Sequence, residues 1–207
     1  MKKYWIIALA ALCVTSTTWA SPAPDREGVA DVGLHIWGIL PSDSAIDTNV
    51  YVGGSVAYGI NPNWALGLES GYFQTNADLN IAVANVSGDI GDLQGVPLFF
   101  DIIYRHTASG GPVTPYTVLG LGAVFWRFDE NTTVREANSG VDADPSFAAK
   151  LGLGVDWFLT DNVIFNFEGS YVWTPEEITT DNNTGTTVDK SDLNYFTLGG
   201  GIKYAFS

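Results

Sequence analysis

Residues 147–157 read FAAKLGLGVDW, and this stretch decides the fold. Phe147, Ala149, Leu151, Leu153, Val155 and Trp157 alternate with Ala148, Lys150, Gly152, Gly154 and Asp156. A period of two is the mark of a β-strand, whose successive side chains leave opposite faces. One face is continuously apolar and the other is small or charged. A strand of a water-soluble sandwich alternates too, so alternation alone leaves sandwich and membrane barrel open.

Outward from this strand the same period recurs over 29–40, 49–60, 64–75, 94–106, 114–128, 163–174 and 192–206, which with 145–158 predicts eight strands. Their connections are of two kinds. Residues 61–63 and 159–162 are tight turns and 107–113 a modest one, whereas 41–48, 76–93, 129–144 and 175–191 are mostly long and polar. The long segments hold most of the acidic surplus, including Asp78, Asp89, Asp129, Glu136, Asp144, Glu176 and Asp189. Short turns at one end and long loops at the other are how outer-membrane barrels are built.

Aromatic positions sharpen the choice. With the tight turns at the periplasmic side, the lower strand ends carry Tyr58, Trp64, Tyr104, Tyr116, Trp157 and Phe206, and the upper ends Tyr72, Trp126, Phe147, Trp173 and Phe196. All are assigned here to the apolar parity of their strands, forming two girdles on the outer face. Ten residues at about 3.3 Å, tilted about 40°, rise roughly 25 Å, the height of an outer-membrane apolar band. Only a closed sheet leaves no unpaired backbone edge in hydrocarbon. The predicted fold is therefore all-β: an eight-stranded antiparallel transmembrane β-barrel of outer-membrane type.

Composition agrees. The 207 residues are 46% hydrophobic and 15% charged, with 23 acidic and nine basic residues for a net charge of −14. That excludes a disordered chain and argues against a nucleic-acid partner, which needs a basic surface. One cysteine and two histidines leave no material for a disulfide framework or a multi-histidine metal centre. At the N-terminus, Lys2 and Lys3 precede the apolar run Trp5–Val14, and Thr18-Trp19-Ala20 forms a small-x-small site before Ser21. This predicts a secretory signal peptide over 1–20 and an outer-membrane barrel domain over 21–207. Cys13 follows Leu12 where a lipoprotein site needs a small residue, so lipidation is not expected. Cleavage leaves seven basic against 23 acidic residues, a charge of −16, and no cysteine. No later stretch reaches 18 apolar residues.

The opposite parity lines the lumen. Its lower and middle part is predicted to hold Asp31, His35, Glu69, Asp101, Arg105, Lys150, Asp156, Glu168 and Lys203, with Arg127 inward near the top. An eight-stranded barrel is narrow enough for side chains to fill, and buried charges must pair. Glu69, Asp101, Arg105, Lys150, Asp156, Glu168 and Lys203 are thus expected to form an ion-pair plug; an ion or proton path is the functional alternative. Higher up, Trp37, Ile39, Phe73, Phe99, Phe125, Val172 and Tyr195 would line an apolar funnel. Trp37, Phe73, Phe99, Phe125 and Tyr195 are its candidate ligand-binding residues; the alternative is an extra hydrophobic core in strands that extend past the membrane. Pro97 lies inside a strand and cannot donate a ladder hydrogen bond, so the wall there must be open, bulged or otherwise satisfied.

The chain resembles the outer-membrane protein W family of Gram-negative bacteria. The resemblance runs from about residue 95 to the end. It rests on Val96-Pro97-Leu98, Pro115-Tyr116 before Leu119-Gly120-Leu121-Gly122, Leu153-Gly154-Val155-Asp156-Trp157-Phe158-Leu159, Val163–Trp173 with Tyr171, and Gly200-Gly201-Ile202-Lys203-Tyr204-Ala205-Phe206. These motifs are short and shared with other small barrels. The resemblance implies an eight-stranded barrel with a narrow apolar lumen, passive uptake of small hydrophobic molecules, and lateral release through a gap at strand-interrupting prolines such as Pro97. It also implies a terminal aromatic, here Phe206, read by the barrel-assembly machinery. This chain departs in carrying Ser207 after that aromatic and in a lumen richer in charge than a hydrophobic channel needs.

An enzymatic role is not expected. His106 lies at a periplasmic turn with Ser109 close in sequence; His35 points inward near mid-barrel with Ser55 as a neighbour. Neither suits a lipid substrate at the external leaflet. The segment Asp181-Asn182-Asn183-Thr184-Gly185 with Asp189 has oxygen ligands at calcium-like spacing but lacks a suitably placed bidentate Glu, so it reads as turn chemistry and no metal or cofactor is expected. The expected function is a porin-like transport protein: a passive pathway or pocket for small hydrophobic molecules. The alternative is a structural or adhesive surface barrel with a closed lumen, acting through its acidic loops. Expected partners are outer-membrane lipids, lipopolysaccharide, the assembly machinery and small hydrophobic ligands.

Overall fold

The computed structural model describes residues 24–42, 48–81, 86–106, 111–130, 145–174, 177–181, 187–192 and 194–206. The predicted signal peptide, Ser109 and the loop 182–186 lie outside the described residues.

Strands β1 (Ala30–Pro41), β2 (Asn49–Gly59), β3 (Trp64–Ile81), β4 (Val86–Arg105), β5 (Val113–Glu130), β6 (Ser146–Phe158), β7 (Val163–Trp173) and β10 (Tyr195–Phe206) form one closed antiparallel barrel. Each of β1 to β7 pairs with the barrel strand next to it in sequence, β7 pairs with β10, and β1 closes the ring on β10 from Ala30↔Phe206 to Pro41↔Tyr195. Every wall strand thus has a partner on both sides, as hydrocarbon requires. The outer surface is apolar: Leu34, Ile36, Leu121, Leu151, Leu153 and Leu198 stand exposed around the ring. In water this belt would be an aggregation surface; in a bilayer it is the lipid-facing wall.

Two predicted loops contain strand. Residues 76–81 and 86–93 continue β3 and β4, paired out to Ile81↔Val86, and Glu177–Asp181 (β8) pairs with Thr187–Asp192 (β9) as a separate two-stranded sheet. Polar composition predicts loop, but ladder pairing is made by the backbone, which polar side chains do not prevent.

Strand β5 runs with the opposite parity to that expected. Trp126 is 9% exposed and Tyr116 is 3% exposed, so both point inward, whereas Phe125 is 47% exposed on the outer face. Arg127 shares the parity of Phe125 and is exposed, not luminal. The reason is volume. A Cβ on Gly122 would overlap the Leu98 backbone carbonyl, and one on Gly120 would lie 2.5 Å from Asp101 Oδ1 and displace it, so the inward face of β5 favours glycine at this level. The large neighbours Leu119 and Leu121 must therefore face lipid, and the aromatics follow the glycines inward. The other predicted girdle residues keep the outward parity, with Trp64–Tyr104 and Tyr171–Phe196 rings in contact.

The tight turns share one construction. Asn61 Oδ1 accepts from the Asn63 and Trp64 amides, both at 2.9 Å, and Thr160 Oγ1 accepts from Asn162 at 3.3 Å and Val163 at 2.9 Å. Asn63 and Asn162 then reach across to the Arg105 and Ala205 carbonyls at 3.0 and 2.8 Å. Side-chain acceptors that mimic backbone are the reason Asn and Thr serve in turns. Replacing Asn61 by Ala should cost about 1 kcal/mol, the net value of an ordinary hydrogen bond, read as a lower urea midpoint for unfolding from lipid vesicles. An unchanged midpoint would mean that the strands alone set this turn.

Candidate functional site

The lumen is built in three tiers, all from inward-parity positions. At the floor, the segment before β1 turns beneath the barrel: Gly28 N donates to Gly59 O at 2.9 Å and Gly59 N to Val29 O at 3.0 Å. Gly28 adopts φ +72°, a backbone region that glycine enters without strain. This turn feeds Arg26 upward. Its Nη2 lies 2.6 Å from Asp31 Oδ2, and Arg105 Nη2 approaches the same oxygen at 3.3 Å. The Arg26 guanidinium also lies 5.8 Å from the centre of the Phe158 ring.

The middle tier carries the predicted plug. Lys150 Nζ bonds Glu69 Oε2 at 2.8 Å and Asp101 Oδ2 at 2.9 Å, so one β6 ammonium bridges β3 and β4 across the lumen. Lys203 Nζ bonds Asp156 Oδ1 at 2.9 Å and sits 4.8 Å from the Tyr116 ring centre. Glu168 lies within electrostatic reach of the Lys150 ammonium but makes no direct contact with it. It accepts the Tyr116 hydroxyl at 2.8 Å instead, because the reversed parity of β5 brings that phenol inside. His35 Nε2 and Ser55 Oγ are 2.9 Å apart, and the imidazole stacks on Trp37 at 4.9 Å between ring centres. The cavity among these side chains measures about 20 Å³, room for a water-sized guest.

The upper tier is aromatic. Trp37 stacks on Tyr51 at 5.1 Å, and Phe73 meets Trp126 edge-on at 5.7 Å and Tyr195 at 5.8 Å. Ile39, Phe99, Val124, Ala148 and Val172 complete this buried cluster. Of the predicted funnel residues, Trp37, Ile39, Phe73, Phe99, Val172 and Tyr195 are inside it and Phe125 is not. Tyr51 and Trp126 belong to it and were not anticipated. Tyr51 was nonetheless legible, because it shares inward parity with Ser55 and Ala57 on β2. Arg26 precedes the first strand, and no periodicity could flag it. The space left here, bounded by Trp37, Tyr51, Glu69, Pro97, Phe99 and Tyr195 among others, measures about 10 Å³.

Pro97 interrupts the wall beside this cluster. The β3–β4 ladder is paired through Ser70↔Leu98 and resumes in the same register at Phe73↔Gly95, leaving Gly71 and Tyr72 unpaired opposite Pro97 and Val96. The Pro97 carbonyl instead accepts the Ser70 hydroxyl at 2.8 Å. Amide and carbonyl of one strand residue point the same way, so the donor that proline lacks is the one facing β3. The β4–β5 ladder on the other side continues through Pro97↔Val124.

At the short-turn end of the barrel His106 contacts Thr117 Oγ1 at 3.0 Å and packs edge-on against Tyr104. Among the described residues no group of three or more His, Cys, Asp or Glu is arranged to hold a metal ion.

Residues 6–206 match the family described as "Outer membrane protein beta-barrel domain". Among solved structures the chain is similar to outer membrane protein OprG from Pseudomonas aeruginosa, at 16% identity and TM-score 0.75, over 87% of this chain and 97% of that one. It is also similar to outer membrane protein W of E. coli, at 16% identity and TM-score 0.58, over 87% and 99% of the two chains. Neisserial surface protein A is similar at 16% identity and TM-score 0.56, over 86% and 96%. At such identities these structures speak to the fold. Comparison with curated proteins finds no match.

Proposed function

Because this chain belongs to the outer membrane protein β-barrel domain family, we propose that its barrel is a non-enzymatic, passive route for small hydrophobic molecules, entered from outside and left sideways through the wall at Pro97. One observation carries this reading: the ladder gap at Gly71 and Tyr72 lies beside the aromatic tier, above the charged plug. A guest that displaces the upper rings meets apolar surface, finds the axial way down blocked by buried ion pairs, and has beside it the one stretch where β3 and β4 share no ladder bonds between Ser70 and Phe73. Lipid lies directly outside, where Leu98 and Phe100 are exposed.

Pro97→Ala restores the missing donor toward β3 and should close the gap. Uptake of a fluorescent naphthylamine probe into vesicles carrying the variant is expected to fall several-fold, with the heat-modifiable mobility of the folded barrel retained. Equal uptake by both proteins would sink the lateral route. The filled lumen favours the second reading, a closed surface barrel acting through its loops; in that case wild-type vesicles would take up the probe no faster than protein-free ones.

A further inference from the structure

Two rings of the upper tier carry hydrogen-bonding groups that the tier does not use. Tyr51 is 2% exposed, and its hydroxyl has no hydrogen-bond partner. Trp37, equally buried and stacked on Tyr51 at 5.1 Å, has an indole N–H in the same state. A buried Tyr or Trp usually finds a partner for its polar end, because an unpaired group keeps the full cost of its lost hydration. The polar neighbours are occupied with one another. Ser170 and Thr197 bond at 2.6 Å, and Lys150 holds Glu69 and Asp101. An indole nitrogen can only donate and a phenol hydroxyl can donate, so what these two rings lack is an acceptor.

The position of Tyr51 ties this shortage to the gap in the wall. Its ring lies against glycines of two strands: a Cβ on Gly71 would come within 2.5 Å of Tyr51 Cζ, and one on Gly53 within 2.6 Å of the hydroxyl oxygen. Gly71 is one of the two β3 residues left unpaired opposite Pro97 and Val96. Tyr51, Trp37 and Pro97 also border the same space of about 10 Å³. The spare phenol hydroxyl therefore stands at the inner side of the gap.

We propose that Tyr51 selects the guest at this exit. Its hydroxyl donates a hydrogen bond to an acceptor oxygen on the guest, so the favoured guests are uncharged hydrophobic molecules that carry a ketone, ester or ether group. The inference rests on the lateral route proposed above and names the chemistry of what uses it. A pure hydrocarbon leaves the buried hydroxyl unpaired, and a site with a spare polar group discriminates against such an analogue. A carboxylate or ammonium would have to shed its hydration among apolar rings.

Two probes that differ by one carbonyl oxygen test this: a dimethylaminonaphthalene bearing a propionyl group, and its propyl analogue. Their uptake into vesicles carrying the refolded barrel is followed by fluorescence and corrected for protein-free vesicles. The wild-type barrel is expected to favour the ketone. Tyr51→Phe removes only the hydroxyl and should lower the ratio of ketone to hydrocarbon uptake about three- to tenfold, the worth of one hydrogen bond. Because that hydroxyl has no partner in the resting barrel, the same variant should unfold in urea at the wild-type midpoint or above it. A lowered midpoint would overturn the assignment and leave the lateral route standing. So would uptake of both probes in an unaltered ratio, which would reduce Tyr51 to packing. Wild-type vesicles that admit neither probe faster than protein-free ones would remove the route itself, and this inference with it.

Discussion

Lys150→Met is expected to destabilise the barrel by about 3–5 kcal/mol, the usual cost of removing one partner from a buried ion pair. The single ammonium is bonded to Glu69 and Asp101, and its Nζ sits 5.1 Å from the centre of the Phe99 ring. Methionine keeps most of the stem but leaves two buried carboxylates without their shared counter-charge. Equilibrium unfolding in urea from lipid vesicles measures the loss as a lowered midpoint. The triple variant Lys150→Met, Glu69→Gln, Asp101→Asn removes the stranded charges together and should recover most of the stability. That recovery separates charge imbalance from lost packing. A single variant as stable as wild type would mean that solvent reaches the plug freely.

The closed sheet was legible because hydrocarbon leaves a chain little choice. Strands of one parity must be apolar over about 25 Å, and turns at one end must be short. Residues 147–157 satisfy both conditions, and β6 lies as their alternation predicts, with Lys150 and Asp156 buried and Leu151 and Leu153 exposed. The charged lumen was legible for the same reason, since Asp31, Glu69, Asp101 and Lys203 stand opposite aliphatic neighbours that can only face lipid. Strand β5 was misread because large apolar side chains occur on both of its faces. Tyr116 and Trp126 resembled girdle residues by height, but Leu119 and Leu121 alternate with Gly120 and Gly122, where an inward Cβ would crowd the Asp101 carboxylate and overlap the Leu98 backbone. In a narrow barrel the glycine face is therefore a better guide to the inside than the aromatic face is to the outside. Which carboxylate meets which ammonium was not legible, because the pairs join strands 47 to 81 residues apart and depend on side-chain reach across the lumen.

The parity of β5 gives the second large expectation. Leu121, 61% exposed near the middle of the strand, faces lipid at mid-wall beside Phe100 and Ala149. Leu121→Arg should cost about 2–4 kcal/mol, the price of a guanidinium near the bilayer midplane, measured by reversible urea unfolding in vesicles. Phe125→Arg lies nearer the loop end of the same face, where the penalty falls to about 0–1 kcal/mol because the side chain reaches the headgroups. The gradient along one face is the test. If Leu121 instead pointed inward, its arginine variant would meet Glu69, Asp101 and Glu168 and lose far less. Equal small losses at both positions would then reverse the strand. They would also return Gly120 to the lipid face, away from the Asp101 carboxylate it now accommodates.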